Sequence, residues 1–238
     1  MASSTVLAVV QSFCRLYAMP VPTALQGSSD AGALQMRELI QEVCEYIWRH
    51  SDWQECSRRA SWASIAGEDQ GAISTLFSEN FFKIIPSTFW DFTIRQPLQG
   101  PISDERWQGM KSLNPQGPLY SFKVTNNRLL VTSTMPAGHT LTLFYKTKNW
   151  MTSSGIPGAA FLTDSDTCFF SDHLIKAGMR AFWLRIKQMP HAAEFSQFED
   201  MLMMEASSGT VRPILRMDDS GQSPMYGITI PIGNWAQP

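Results

Sequence analysis

Apolar residues recur every three to four positions near both ends of the chain and every second position in its middle. Helices flanking a set of strands are therefore the first expectation. Ser3 or Ser4 can cap a first helix whose inner face is Val6, Val9, Val10, Phe13 and Leu16/Tyr17, and Pro20 and Pro22 end it. Asp30 is a natural cap for a second helix over Ala31 to Arg49, with Met36, Leu39, Ile40, Val43 and Ile47 on one side. The short Pro/Gly/Ser loop between the two predicts an antiparallel hairpin. The most apolar stretch runs from Thr163 to Gly209 and reads as two helices joined at Met189–Pro190. From Asp166 to Met189 the first would be roughly 36 Å long. A polar stripe of Asp172, Lys176, Arg180 and Lys187 leaves Phe169, Phe170, Leu174, Ile175, Met179, Phe182, Trp183 and Ile186 to pack on several sides. The rest of the chain is expected to pack on this pair of helices. Pro190 suits the start of the next one, where Phe195, Phe198 and Leu202 make a narrower stripe and Gly209 a stop.

Between these ends the period shortens. Ser57 to Ala66 reads as a strand, Gly67-Glu-Asp-Gln-Gly71 as a turn and Ala72 to Phe77 as the partner strand. Phe81 to Ser103 is aromatic-rich and interrupted by three prolines. Ser103-Asp104-Glu105 starts a short helix with Trp107, Met110 and Leu113 inside. Tyr120 to Val124, Leu129 to Thr132 and Leu141 to Lys146 alternate, with Asn126-Asn127 and Pro136-Ala-Gly138 as turns. They predict a three-stranded antiparallel meander.

The predicted fold class is α+β. An antiparallel helical bundle, made of an N-terminal helix hairpin and a C-terminal helix pair (residues 1–56 and 161–209), carries an inserted small antiparallel β region with a short helix (57–160). Residues 210–238 form an extended C-terminal arm. There a polar linker, Asp218-Asp-Ser-Gly-Gln-Ser223, precedes a segment alternating Ile228, Ile230 and Ile232 between Tyr226 and Trp235. An apolar extended tail on a polar linker is suited to pairing with another surface.

Composition narrows the function classes. The net charge of −2, from 19 basic and 21 acidic residues, argues against bulk attraction to nucleic acid or an anionic membrane. Cys14, Cys44, Cys56 and Cys168 form no C-x-x-C pair and read as free thiols of a reducing compartment. Gln11, Ser12 and Arg15 break up the N-terminal apolar run, so it does not read as a signal peptide, and no apolar stretch is long enough to span a membrane.

Candidate chemistry is sparse. Phosphate-binding, dinucleotide-binding and nucleophile-elbow motifs are absent, and His50, His139, His173 and His191 show no metal spacing. Asp172–His173 could form an acid/base pair, but neighbours on a helix diverge. Asp164-Ser-Asp166 could hold a metal, although two helix-capping acids is the simpler reading. Glu68-Asp69 fits a solvated turn. Arg58-Arg59 with Trp62 is too small a basic patch for nucleic acid, and the eight tryptophans sit mostly at core positions. No catalytic residue, cofactor or metal ligand is assigned. The candidate contact residues are Tyr226, Ile228, Ile230, Ile232 and Trp235, as an arm that binds a neighbouring protein.

Three segments carry a family resemblance: Trp48-Arg-His-Ser-Asp-Trp53; Ser87-Thr-Phe-Trp-Asp-Phe-Thr-Ile-Arg-Gln-Pro-Leu-Gln-Gly-Pro-Ile-Ser103 with Trp107 after it; and Phe161-Leu-Thr-Asp-Ser-Asp-Thr167 leading to Phe182-Trp183. Together they resemble the head-to-tail adaptor proteins of short-tailed bacteriophages, the tail tubular protein A type, over about residues 1 to 206. The resemblance implies a non-enzymatic virion protein of the neck, made in the bacterial host cytoplasm. It implies a homo-oligomeric ring, a dodecamer, seated under the portal protein ring. Its other partner would be the tail nozzle, and the ring would continue the DNA channel through which the genome is retained and ejected. A subunit with balanced charge and no basic run suits a wall that double-stranded DNA passes without specific binding. The alternative class is a tail-associated hydrolase or carbohydrate-binding module built on tryptophan-rich clefts and Asp164/Asp166, which would need its acids and bases to converge.

Overall fold

The computed structural model describes residues 4–77, 80–113 and 120–208. The arm residues Tyr226, Ile228, Ile230, Ile232 and Trp235 lie outside the described residues. Helix α1 spans Val6–Leu16, and its cap is Thr5, whose hydroxyl accepts from the Ala8 N–H at 3.3 Å. Helix α2 spans Ala31–His50, and the Asp30 carboxylate accepts from the Ala33 N–H at 2.9 Å. The short helical turn α3 covers Ile73–Leu76, and α4 covers Asp104–Leu113. Helix α5 spans Asp172–Ile186 and α6 spans Ala192–Ser208.

The strands are β1 (Ser57–Ala63), β2 (Gly67–Ala72), β3 (Phe81–Ile84), β4 (Trp90–Asp91), β5 (Gln96–Pro97) and β6 (Phe122–Thr125), followed by β7 (Arg128–Met135), β8 (Thr140–Thr147), β9 (Met151–Ser153), β10 (Ile156–Gly158) and β11 (Thr167–Cys168). Among the described residues they form three antiparallel sheets. The largest runs β1-β8-β4-β5, with β3 also on β8; the others are β2-β7-β6 and β10-β9-β11.

This architecture corrects the expected helical bundle with a small β insert. Strand occupies 26% of the described residues beside 41% helix, so the β part is a co-equal body of structure. The helical part also contains a sheet of its own, because Trp150, Met151 and Cys168 belong to the same buried cluster as α1, α2, α5 and α6. Helix α5 starts at Asp172 rather than Asp166. Asp166 is consumed in the preceding turn, Thr167–Cys168 pairs with β9, and Ser171 caps the helix by accepting from the Leu174 N–H at 3.2 Å. The expected α1–α2 hairpin is replaced by a hub, since α1, α2 and α6 each pack on α5.

The pairing of the middle strands also differs from expectation. Asn126 and Asn127 turn β6 into β7 with φ of 50° and 59°, as the sequence predicts. Strand β7 then pairs with β2 and not with β8. Gly67–Gly71, expected as a turn, is most of β2. Its register shifts twice against β7, and Gly67 and Gly71 sit at φ of 113° and 124°, where glycine alone is at ease. Ala72–Phe77, expected as a strand, contains α3 instead. Strand β8 leaves the meander for the middle of the largest sheet, with β1 along one edge and β4 and β3 along the other, and Phe144 on its outer face stays exposed. Leu141, Leu143 and Tyr145 enter the core, and Thr142 and Lys146 are buried on the other side.

Two buried clusters result. One gathers the four long helices with Trp150, Phe161 and Phe170. The other fills the space between the sheets with Phe77, Phe89, Phe122, Leu129, Leu143 and Tyr145.

Candidate functional site

The seam between the two clusters is held by a buried lysine. Lys146, near the end of β8, points away from the sheet core toward the C-terminus of α2. Its ammonium donates to the carbonyls of Trp48 at 2.6 Å and Ser51 at 2.5 Å, and lies 3.7 Å from the Asp52 carboxylate. The ring of Trp48 covers it at 4.7 Å. The last carbonyls of a helix carry partial negative charge and lack partners within the helix, so a cation there satisfies both needs. Burial lowers the Lys146 pKa; Asp52 counters in part, and nearby Lys83 adds to the lowering. Lys83 reaches the same Asp52 at 2.9 Å. Trp48 answers by donating its indole N–H to the Thr147 carbonyl at 3.1 Å. The arrangement is a clamp between lobes with its donors committed to the backbone.

A second polar group lies across the sheet from this seam. Asp91 of β4 is fully buried and accepts from the Thr93 N–H at 2.8 Å and the Ile94 N–H at 3.3 Å. Its other oxygen meets His139 Nδ1 at 2.6 Å. A carboxylate on Nδ1 fixes an imidazole and leaves Nε2 for other use, the orientation a general base needs. Sequence reasoning did not pair these residues, 48 positions apart. The one local signal was an acid alone in the aromatic run Phe89-Trp-Asp-Phe92.

The outer face of the largest sheet, opposite its core, is aromatic and cationic. Phe144 is 43% and Phe92 56% exposed, and the Arg59 guanidinium lies 5.7 Å from the Phe92 ring centre. Strand β1 borders this face and, among the described residues, forms the sheet's edge. Its backbone polarity follows from the register. Ser64 donates to the His139 carbonyl, whereas Phe144 and Thr140 direct their backbone groups toward β3 and β4. Arg59 stands opposite Phe144, Ser61 opposite Thr142 and Ala63 opposite Thr140. Arg59, Ser61 and Ala63 therefore point their N–H and C=O groups away from β8, and all three residues are exposed.

The sequence candidates fall into structural roles. Asp164 accepts from the Leu25 and Gln26 N–H groups at 3.1 and 2.9 Å, tying the loop after α1. Asp166 accepts from the Leu162 and Thr163 N–H groups at 2.6 and 2.9 Å and from the Thr163 hydroxyl. Burial raises its pKa, but hydrogen bonds from Ser153, Thr163 and Leu162 outweigh that and hold it below the usual carboxylate range. Neither acid caps a helix. Glu68 pairs with Lys111 and Asp69 with Arg128. Arg58 donates to the Glu55 and Ser57 carbonyls at 2.8 and 3.0 Å, and Trp62 packs on Phe77 and Phe89. All four cysteines are buried, and burial raises the thiols of Cys14 and Cys44 and pushes Cys56 up to about 12. Among the described residues no group of three or more His, Cys, Asp or Glu could hold a metal ion, and no helix is long and apolar enough to cross a membrane.

No protein-family model matches this chain, and none of the curated proteins matches it in sequence.

Proposed function

We propose that this chain is a non-catalytic structural subunit of a tailed-phage neck. It forms a ring that sits between the portal and the tail nozzle and continues the DNA channel. The observation that carries this reading is the open edge of β1 beside an exposed aromatic face, in a chain whose sequence ends in an uncharged, alternating apolar segment. An open edge with a row of unsatisfied backbone groups invites another strand, so it fits a protein that assembles.

The three segments that carry the family resemblance also sit at joints of the fold. Trp48–Trp53 supplies the carbonyls that hold Lys146. Ser87–Ser103 contains Thr88 and Asp91, bonded to β8 and to His139. Phe161–Thr167 contains the carbonyls of Asp164 and Asp166, which accept from the Leu7 and Val6 N–H groups at the start of α1. A substitution at such joints moves whole elements, which suits a building block.

In this reading the arm residues Tyr226, Ile228, Ile230, Ile232 and Trp235 are the contact that drives assembly. Each buried side chain contributes roughly 1.5–3 kcal/mol before ordering costs. A ring of arms gains avidity once the first has docked. Sedimentation velocity of the protein alone and mixed with the portal ring of the same phage tests the proposal. Many copies should travel with the portal, and deletion of 226–238 should abolish this while the fold persists. Absence of binding at high concentration would remove the adaptor reading.

The Asp91–His139 pair favours a second reading, a hydrolase using His139 as base. Hydrolysis of an ester or glycan substrate that disappears in His139→Ala would establish it.

A further inference from the structure

We propose that the open edge of β1 receives residues 228–232 of a neighbouring copy as an added antiparallel strand. The inference rests on the ring reading and names the contact that closes the ring. Two features of the molecule point to this occupant.

The first is length and reach. Among the described residues the free edge spans Arg59 to Ala63 and offers the N–H and C=O groups of three alternate residues. Ile228 to Ile232 is a segment of the same length. Nineteen residues, 209 to 227, separate Ser208, the end of α6, from Ile228. Fully extended they span at most about 70 Å. A domain of this size is about 40 Å across. The segment can therefore cross its own subunit and reach the next.

The second is parity. Pro231 has no N–H, so within a paired strand it must face away from its partner. Thr229 shares its parity. Ile228, Ile230 and Ile232 then carry the ladder. In antiparallel pairing they stand opposite Ala63, Ser61 and Arg59, with side chains on the same face of the sheet. That is the outer face, where Phe144 and Phe92 are exposed. A proline at 230 in place of 231 would break the match.

The test uses the full-length protein and engineered thiols, since the four native cysteines are buried. Chains carrying Ser61→Cys are mixed with size-tagged chains carrying Ile230→Cys, assembled on the portal ring and oxidised with diamide. Directly opposed residues of a hydrogen-bonded antiparallel pair lie about 5.5 Å apart, within disulfide reach. The expected product is a covalent dimer of one chain of each kind. A disulfide that forms only inside a doubly substituted chain overturns the proposal, because the arm then docks on its own subunit. Co-sedimentation with the portal in the absence of any cross-link also overturns it, while leaving the adaptor reading in place. Loss of both removes both.

Ser61→Pro is the second variant. The Ser61 N–H points away from β8, so the isolated subunit should keep its unfolding midpoint while ring assembly falls at least tenfold. Undiminished assembly of Ser61→Pro would refute the docking.

Discussion

The two lobes solve opposite problems. In the helical lobe α5 is surrounded by α1, α2 and α6, and the packing is tight enough to require a glycine. A Cβ on Gly178 would lie 2.6 Å from Val43 Cγ1 and 2.9 Å from Phe198 Cε2. The sheet lobe is looser at its rim. Among the described residues it leaves β1 unpaired on one side, shows Phe92 and Phe144 to solvent, and buries Asp91 with its hydrogen bonds inside. Close packing of apolar surface gives stability but offers little for a partner to grip. An open edge costs satisfied backbone bonds and gives a template. On the assembly reading proposed above, the helical lobe would anchor the subunit while the sheet lobe would make its contacts.

The largest expected effect tests the tightness of the helical lobe. Gly178→Val should destabilise by about 3 kcal/mol or more, read from urea unfolding, because two helices must move apart. Gly109 in α4 is the control in the other lobe. A Cβ there meets nothing within 4 Å, so Gly109→Ala should stabilise by about 0.5–1 kcal/mol through helix propensity alone. Equal effects at the two glycines would erase the distinction between the lobes.

Next in size is the seam. Lys146→Met keeps the stem and removes the charge, leaving the Trp48 and Ser51 carbonyls without their donor. A loss of about 3 kcal/mol is expected. The pH dependence has a definite sign. The folded pKa of Lys146 is lowered, so the wild type gains stability relative to Lys146→Met as pH rises from the folded pKa toward the unfolded one. A constant difference across alkaline pH would mean that the ammonium is not held as described.

Asp166 should behave in the opposite sense. Its folded pKa is depressed, so its contribution is complete above the unfolded carboxylate value and is lost as pH falls through the folded one. Asp166→Asn should cost about 2 kcal/mol at neutral pH, since the amide cannot accept from Leu162, Thr163 and Ser153 at once. The gap between the two proteins should narrow below about pH 4. Chemical unfolding at stepped pH values measures both.

What the sequence made legible follows from range. Helices α1 and α2 have an apolar stripe over about three turns or more and α6 over about two, and α2 also has a capping acid at hand, so their positions could be read locally. Partner choice among strands could not. The alternation Leu141, Leu143, Tyr145 marks one covered face of β8. Nothing local shows that Thr142 and Lys146 are buried on the other, or that β1 lies beside β8 across about eighty residues. Gly178 inside Ile175-Lys-Ala-Gly-Met-Arg carries no local sign of its packing role, because the atoms that demand a glycine sit on α2 and α6. Asp164 and Asp166 looked like caps because caps are the commonest use of acids before a helix. Their real partners include the backbone N–H groups of Leu25 and Gln26, which no spacing rule reaches.

The smallest expected effect separates surface from core within the helical lobe itself. Arg180 of α5 lies 3.0 Å from Glu194 of α6, and their side chains are 46% and 25% exposed. Water screens such a pair, and holding two long side chains costs entropy, so a double-mutant cycle on Arg180→Ala and Glu194→Ala should give a coupling of about 0.2–1 kcal/mol that fades in high salt. Gly178, facing Val43 and Phe198 from the same helix, should show no salt dependence in its much larger cost. A coupling at Arg180 as large as the packing cost at Gly178 would mean that charge, and not close contact of α2, α5 and α6, holds the helical lobe. The division of labour between the lobes would then have to be drawn elsewhere.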